Sequence, residues 1–196
     1  MTTGRAAPAI SDGRWRIDPK RSRVEFQSKT FWGMMTVTGT FDRYDATMEL
    51  AAEPAISMIV EADSLDTGNS MRDKHLRSGD FFDVENNPHV RFISDEVALD
   101  GEQLTAHGVL HAAGRSVALS IKGTVVLEGE TLSVEASAEV DHRQLGMSRG
   151  LLAMVRPPSR LRIRAQAGRH PRRIHPGDST TENNHPSRQD TRYTAQ

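Results

Sequence analysis

The stretch Thr131-Leu132-Ser133-Val134-Glu135-Ala136-Ser137-Ala138-Glu139-Val140 alternates polar and apolar residues from end to end. Successive side chains of a strand point to opposite faces, so Leu132, Val134, Ala136, Ala138 and Val140 share one half-buried face. Gly129-Glu130 sits before this run as a turn signal, and the run before that places Val117, Leu119 and Ile121 together. Ala113-Gly114 separates it from a further run, where Leu104, Ala106, Gly108 and Leu110 share a face, and Asp100-Gly101 opens that one. Glycine-bearing turns between period-two runs are the mark of a hairpin meander. After Val140 the alternation returns at Arg160-Leu-Arg-Ile-Arg-Ala165, with arginines on one face and Leu161, Ile163 and Ala165 on the other.

The first half follows the same rule. Val24, Phe26 and Ser28 oppose Arg23, Glu25, Gln27 and Lys29; Met35 to Phe41 alternates; Met58, Val60 and Ala62 fall together; and His89 to Val97 centres on Phe92. With a short run at Thr47 to Ala51 the count is eight or nine strands. Each has one apolar face, which a sheet can bury by closing on itself, and closure also removes exposed edges. The expected fold is all-β, a single antiparallel barrel of about eight strands spanning residues 14–167. Residues 1–13 and 168–196 read as disordered tails. From Gly168 to Gln196 only Ile174 represents Leu, Ile, Val and Phe, too little apolar surface to offset the entropy of ordering.

One insertion breaks the strand pattern. Between Asp63 and Pro88, Ser70-x-x-Asp73 has the form of a capping box and Gly79 that of a helix stop, predicting a short helix near residues 69–78. Two turns are not stable alone in water, so the helix must dock, with Phe81-Phe82 as its anchor. A helix inserted between barrel strands covers one mouth.

This insertion also carries a resemblance. The chain resembles the YceI-like family, whose members are also called polyisoprenoid-binding proteins. The matching residues are Trp15-x-Ile17-Asp18-Pro19-x-x-Ser22-x-Val24-x-Phe26, Gly39-x-Phe41, Ser64-Leu65-x-Thr67-Gly68 and Arg72-Asp73-x-His75-Leu76-x-Ser78-x-Asp80-Phe81-Phe82-Asp83. Pro88-x-Val90-x-Phe92-x-Ser94, Gly108-x-Leu110 with Gly114, and Asp141-His-Arg143-x-x-Gly146 follow in order. The chain departs from the pattern at Lys29-Thr30-Phe31-Trp32, where a basic residue and a histidine are usual, and at Arg115-Ser116-Val117. The resemblance implies a lipocalin-like barrel with a long apolar cavity for isoprenoid chains, such as quinone tails or polyprenyl lipids.

The candidate lining of that cavity is Val24, Phe26, Val37, Phe41, Met58, Val60, Phe81, Phe82, Phe92, Leu110, Leu119, Ile121, Val134, Ala136, Leu161 and Ile163. Inward residues are the core of any barrel, so the stripe alone is weak support. Small or flexible inward residues (Gly39, Met58, Ala62, Ala106, Gly108, Ala136, Ala138) add to it, because they leave volume that a solid core would fill. Catalytic signatures are sparse. There is no cysteine, P-loop or G-x-G-x-x-G, and the expectation is that no G-x-S-x-G elbow is present either. His75 with Asp73, Asp80 and Asp83 suits helix capping better than a metal or acid–base cluster. His107 and His111 point outward, and Asp141 and Arg143 are placed to pair.

Composition narrows the partners. The 196 residues carry a formal net charge of −1, which gives no basis for nucleic-acid binding. The first residues lack an apolar h-region and no stretch approaches about 18 apolar residues, so the expectation is a cytoplasmic protein without a transmembrane segment. The leading expectation is a non-enzymatic carrier of an isoprenoid or fatty-acyl-type lipid, with that lipid or quinone as ligand and no cofactor or metal. Transient membrane contact and a homodimer stay open. Two alternatives compete: an enzyme acting on a lipid head group at the capped mouth with His75 or Asp83 as acid–base, and a stress-related protein-interaction module with a solid core.

Overall fold

The computed structural model describes residues 12–30, 34–147 and 156–170. Its strands are β1 (Gly13–Ile17), β2 (Arg23–Thr30), β3 (Met35–Phe41), β4 (Tyr44–Leu50), β5 (Ala55–Glu61), β6 (Leu65–Asp66), β7 (His89–Asp100), β8 (Gln103–Ala112), β9 (Arg115–Glu128), β10 (Thr131–Val140) and β11 (Arg156–His170), with one helix, α1 (Ser70–Arg77). All strand pairs are antiparallel, and pairing of β1 with β11 closes the sheet into a barrel of eight staves.

Three neighbouring staves are each built from two strand segments. β1 and β2 lie end to end along the same edge of β11, through Ile17 opposite Ala167 and Arg23 opposite Arg164. A short 3₁₀ turn at Pro19–Arg21 separates them, capped by the Asp18 carboxylate on the Lys20 amide at 3.0 Å. Proline fixes its own φ and has no amide to give a ladder, so the break falls where the sequence cannot continue the strand. β3 and β4 break in the same way at Asp42-Arg43, and β5 and β6 at Ala62–Ser64. The remaining five strands, β7 to β11, are unbroken staves.

Burial follows the predicted parity along β8, where Leu104, Ala106, Gly108, Leu110 and Ala112 are all buried and His107 and His111 exposed. The last strand runs three residues beyond the expected boundary, because Gly168, Arg169 and His170 pair with β1. Composition hid this, since these residues contribute backbone to the ladder rather than apolar surface. Gly13, placed in the first tail, likewise opens β1. The rest of both expected tails lies outside the described residues.

The helix forms where expected with different caps. Asn69, one residue before the proposed Ser70, accepts from the Arg72 amide at 3.0 Å, and Ser78 rather than Gly79 closes the far end through its amide and hydroxyl on the His75 carbonyl. Asp73 reaches back past the N-terminus and receives the Thr67 amide at 3.0 Å and the Thr67 hydroxyl, which ties the helix to the end of β6. Leu76 and Asp73 are its buried residues. No helix among the described residues is long and apolar enough to cross a membrane.

Candidate functional site

The barrel encloses an apolar chamber of about 70 Å³. Six of the predicted lining residues border it: Met58, Phe92, Ile121, Val134, Ala136 and Ile163. The sequence reading missed the rest of the wall, chiefly Trp15 and Ile17 from β1, Ala46 and Met48 from β4, Ile56, Leu104, Ala165 and Ala167. The Trp15-Ile17 alternation was on the page, but strand β1 is too short for period two to stand out.

The other predicted residues are inward or half-buried without touching this chamber. Val24, Phe41 and Val60 form a second core with Leu65 and Leu76 beneath the helix, and Phe26, Phe81 and Phe82 pack on it. Phe41 stands 5.7 Å from Phe26 and 5.9 Å from Phe82, and Phe82 lies 4.8 Å from Phe81. This chain of tilted and edge-on rings fills the helix end of the barrel. Leu110 and Leu119 belong to the main core, Leu161 packs against it, and Val37 is half-buried opposite Ser28.

Two of the glycines taken as a source of empty volume leave none. A β-carbon on Gly39 would lie 2.4 Å from the Phe26 ring, so the ring already occupies that space. A β-carbon on Gly108 would lie 2.2 Å from the Ile93 carbonyl oxygen and 2.7 Å from the Ser94 α-carbon. There β7 bulges between Ser94 and Glu96 and presses its backbone onto β8, while the Ser94 hydroxyl receives the Ile56 amide at 2.8 Å. Ala62 and Ala106 are fully buried in packed core, and of the small residues Ala136 faces the chamber.

Of the candidate acid–base groups at the mouth, His75 has its Nε2 buried without a hydrogen-bond partner among the described residues. Asp83 adopts φ +50 and accepts from the side-chain amides of Asn86 and Asn87, so its carboxylate shapes a turn. Among the described residues no three His, Cys, Asp or Glu side chains converge as metal ligands. His107 and His111 share hydrogen bonds with Ser120 (2.8 Å) and Ser116 (2.7 Å) on the outer surface. Arg143 donates twice to Asp141, at 2.9 and 2.7 Å, and holds its carboxyl below the usual carboxylate range. The string Gly146-Met147-Ser148-Arg149-Gly150 spells G-x-S-x-G, which corrects the expectation that the sequence holds no such motif. A nucleophile elbow needs a strand-to-helix turn; here the string begins in a turn after β10, and Ser148 lies outside the described residues.

Three further buried polar atoms lack a hydrogen-bond partner among the described residues: Trp15 Nε1, Gln166 Oε1 and one on His142. His142 follows β10, is 4% exposed, and its Nε2 is buried with no hydrogen-bond partner among the described residues. Burial is the largest influence and pushes the imidazole below its ordinary value of 6.5, with Asp141 opposing and Arg143 assisting. The ring is also faced by Ser159, and Arg115 of β9 lies against Gly146 in the same turn. A histidine buried neutral binds fewer protons than its unfolded counterpart, so its contribution is fully present above about pH 6.5 and is lost as pH falls from there through the lower folded value. Urea midpoints measured on either side of pH 6.5 should therefore fall on the acid side, and His142→Gln should flatten that part of the profile. An unchanged profile in the variant would assign the acid sensitivity elsewhere.

A closed eight-stave barrel with an apolar chamber and one end under a short helix defines the lipocalin-like class of β-barrels. Residues 15–167 match the model of the YceI-like domain, and the chain belongs to the YceI-like family. A UPF0312 protein of Pseudomonas aeruginosa is 29% identical over 134 residues, 66% of this chain and 69% of that one, and one of Enterobacter sp. is 30% identical over 66% and 68%. Among solved structures, Burkholderia cenocepacia BcnA superposes with a TM-score of 0.71 at 19% identity, covering 76% of this chain and 98% of that one. A polyisoprenoid-binding domain from Saccharophagus degradans, implicated in plant cell wall breakdown, gives 0.66 at 13% identity over 82% and 100%. At these identities the structural likeness establishes the fold.

Proposed function

We propose that the barrel binds and carries the hydrocarbon chain of an isoprenoid-type or similar long-chain amphiphile without transforming it. The observation that carries this reading is the chamber itself, a space at the barrel's centre whose wall is apolar apart from Thr47 and the Trp15 indole. Family membership supports it, as does the polyisoprenoid-binding neighbour of the same fold. Each buried CH₂-sized group contributes about 0.8 kcal/mol, so a few isoprene units give useful affinity with no polar contact. A chamber of about 70 Å³ is small beside the roughly 150 Å³ cavity that holds benzene. A chain therefore enters by moving side chains, and Met48 and Met58 in the wall are flexible enough to swing aside. The same small volume favours the second reading, a protein-interaction module whose interior is nearly solid.

Paired substitutions separate the two. Ala136→Leu fills the chamber, and should leave the urea midpoint within error while removing lipid recovered by organic extraction and mass spectrometry. Ala138→Leu adds the same bulk at a position 7% exposed that does not border the chamber, and should cost about 1–3 kcal/mol. If both variants are destabilised alike and no lipid co-purifies with the unaltered protein, the interior is full and the carrier reading fails.

A further inference from the structure

Three side chains interrupt the apolar lining toward the helix end, on β11, on the adjoining β2 and in the turn that follows β10. Ser159 lies opposite the buried Val140, so the two share the inner face of the wall. Ser28 has the parity of Val24 and Phe26 and meets Ser159 hydroxyl to hydroxyl at 2.7 Å. Ser159 in turn lies 3.4 Å from Nδ1 of His142. The far nitrogen of that ring, Nε2, is the end of this polar track and has no partner among the described residues. Buried polar groups are almost always hydrogen-bonded, so an orphan calls for an explanation, and a bound atom is one that fits a polar track leading to it.

Resting on the carrier reading above, we propose that His142, braced by Ser159 and Ser28, is the subsite that receives the polar head of the carried amphiphile, and that this head is a neutral carbonyl or hydroxyl group. His142 stands six residues along the chain from Ala136 in the chamber wall, about 20 Å if fully extended. A chain anchored at His142 must part the rings packed at the helix end, Phe26 among them, to reach the chamber. A neutral imidazole offers one donor and one acceptor, which suits either head. A phosphate there would bury its charge among two hydroxyls and a neutral ring, and Arg143 is already committed to Asp141.

Isothermal titration with farnesol, farnesyl phosphate and the headless hydrocarbon farnesene tests this. The unaltered protein should bind farnesol about tenfold tighter than farnesene, the worth of one buried hydrogen bond. His142→Phe should erase that preference and leave farnesene binding unchanged, whereas His142→Gln, which keeps a neutral hydrogen-bonding end, should retain part of it. Should the phenylalanine variant not fold, Ser159→Ala should weaken farnesol binding alone by releasing the ring. Farnesol preference that survives both His142→Phe and Ser159→Ala overturns the assignment, and tighter binding of farnesyl phosphate than farnesol overturns the neutral head. Equal binding of farnesol and farnesene by the unaltered protein leaves the carrier reading standing and removes this one. Binding of neither overturns both.

Discussion

Trp15→Ala is expected to cost about 3–5 kcal/mol, the range for losing a large buried aromatic. Trp15 is 1% exposed and is among the largest side chains with almost no contact with solvent. Its ring packs in the main core, borders the chamber, and carries the Arg169 guanidinium 5.3 Å above its centroid. Truncation removes apolar burial and the cation–π contact together, and it leaves a hole continuous with space that is already unfilled. Position matters as much as size. Trp15 is the residue of β1 that pairs with Met48 on one side and Arg169 on the other, at the seam where the ring closes. Domains of this size are stable by about 5–15 kcal/mol, so the variant should lose a large share of the total. Urea unfolding followed by circular dichroism measures it, with Trp15→Phe keeping much of what alanine loses. A loss below about 1 kcal/mol would show that the indole does not hold the seam.

Gly108→Ala is expected to cost about 3 kcal/mol, the upper end of over-packing. The added carbon meets the carbonyl oxygen of Ile93 and the α-carbon of Ser94, both backbone, so no side chain can swing away. Relief requires moving the bulge of β7, and the bulge positions the Ser94 hydroxyl on the Ile56 amide. The strain therefore spreads to β5. Gly168→Ala, where a β-carbon meets nothing within 4 Å, is the control and should be neutral. Equal midpoints for the two variants would mean that the bulge yields freely.

The same two sites mark how far the sequence could be read. The unbroken alternation of Leu132 to Val140 and of Leu104 to Leu110 predicted the meander and its inner face: the second set is buried throughout, and in the first Leu132, Ala138 and Val140 are buried while Val134 and Ala136 are half-buried. Alternation says which way a side chain points but not what stands opposite. Gly39 and Gly108 were read as room, whereas each is small because a ring or a backbone segment occupies the place of its side chain. Phe26, Phe41, Phe81 and Phe82 were read as cavity wall, and instead fill the end they were meant to line. Trp15 was overlooked as wall because β1 is five residues long. His142 was overlooked because it follows the strand, where period two no longer applies.

The three broken staves stand side by side, and β1, the barrel's first strand, joins its last, β11, through four residue pairs. Those partners lie roughly 150 positions apart in the chain, so closing the ring carries a far larger loop entropy than any hairpin of the meander. The five continuous strands can assemble from local contacts, and the segmented arm then shuts against them as the slow step of folding. What assembles last also opens at least cost. On the carrier reading proposed above, a guest too large for the resting chamber would enter along that seam, where the wall is a set of short ladders rather than long ones, and loading and partial unfolding would be the same motion.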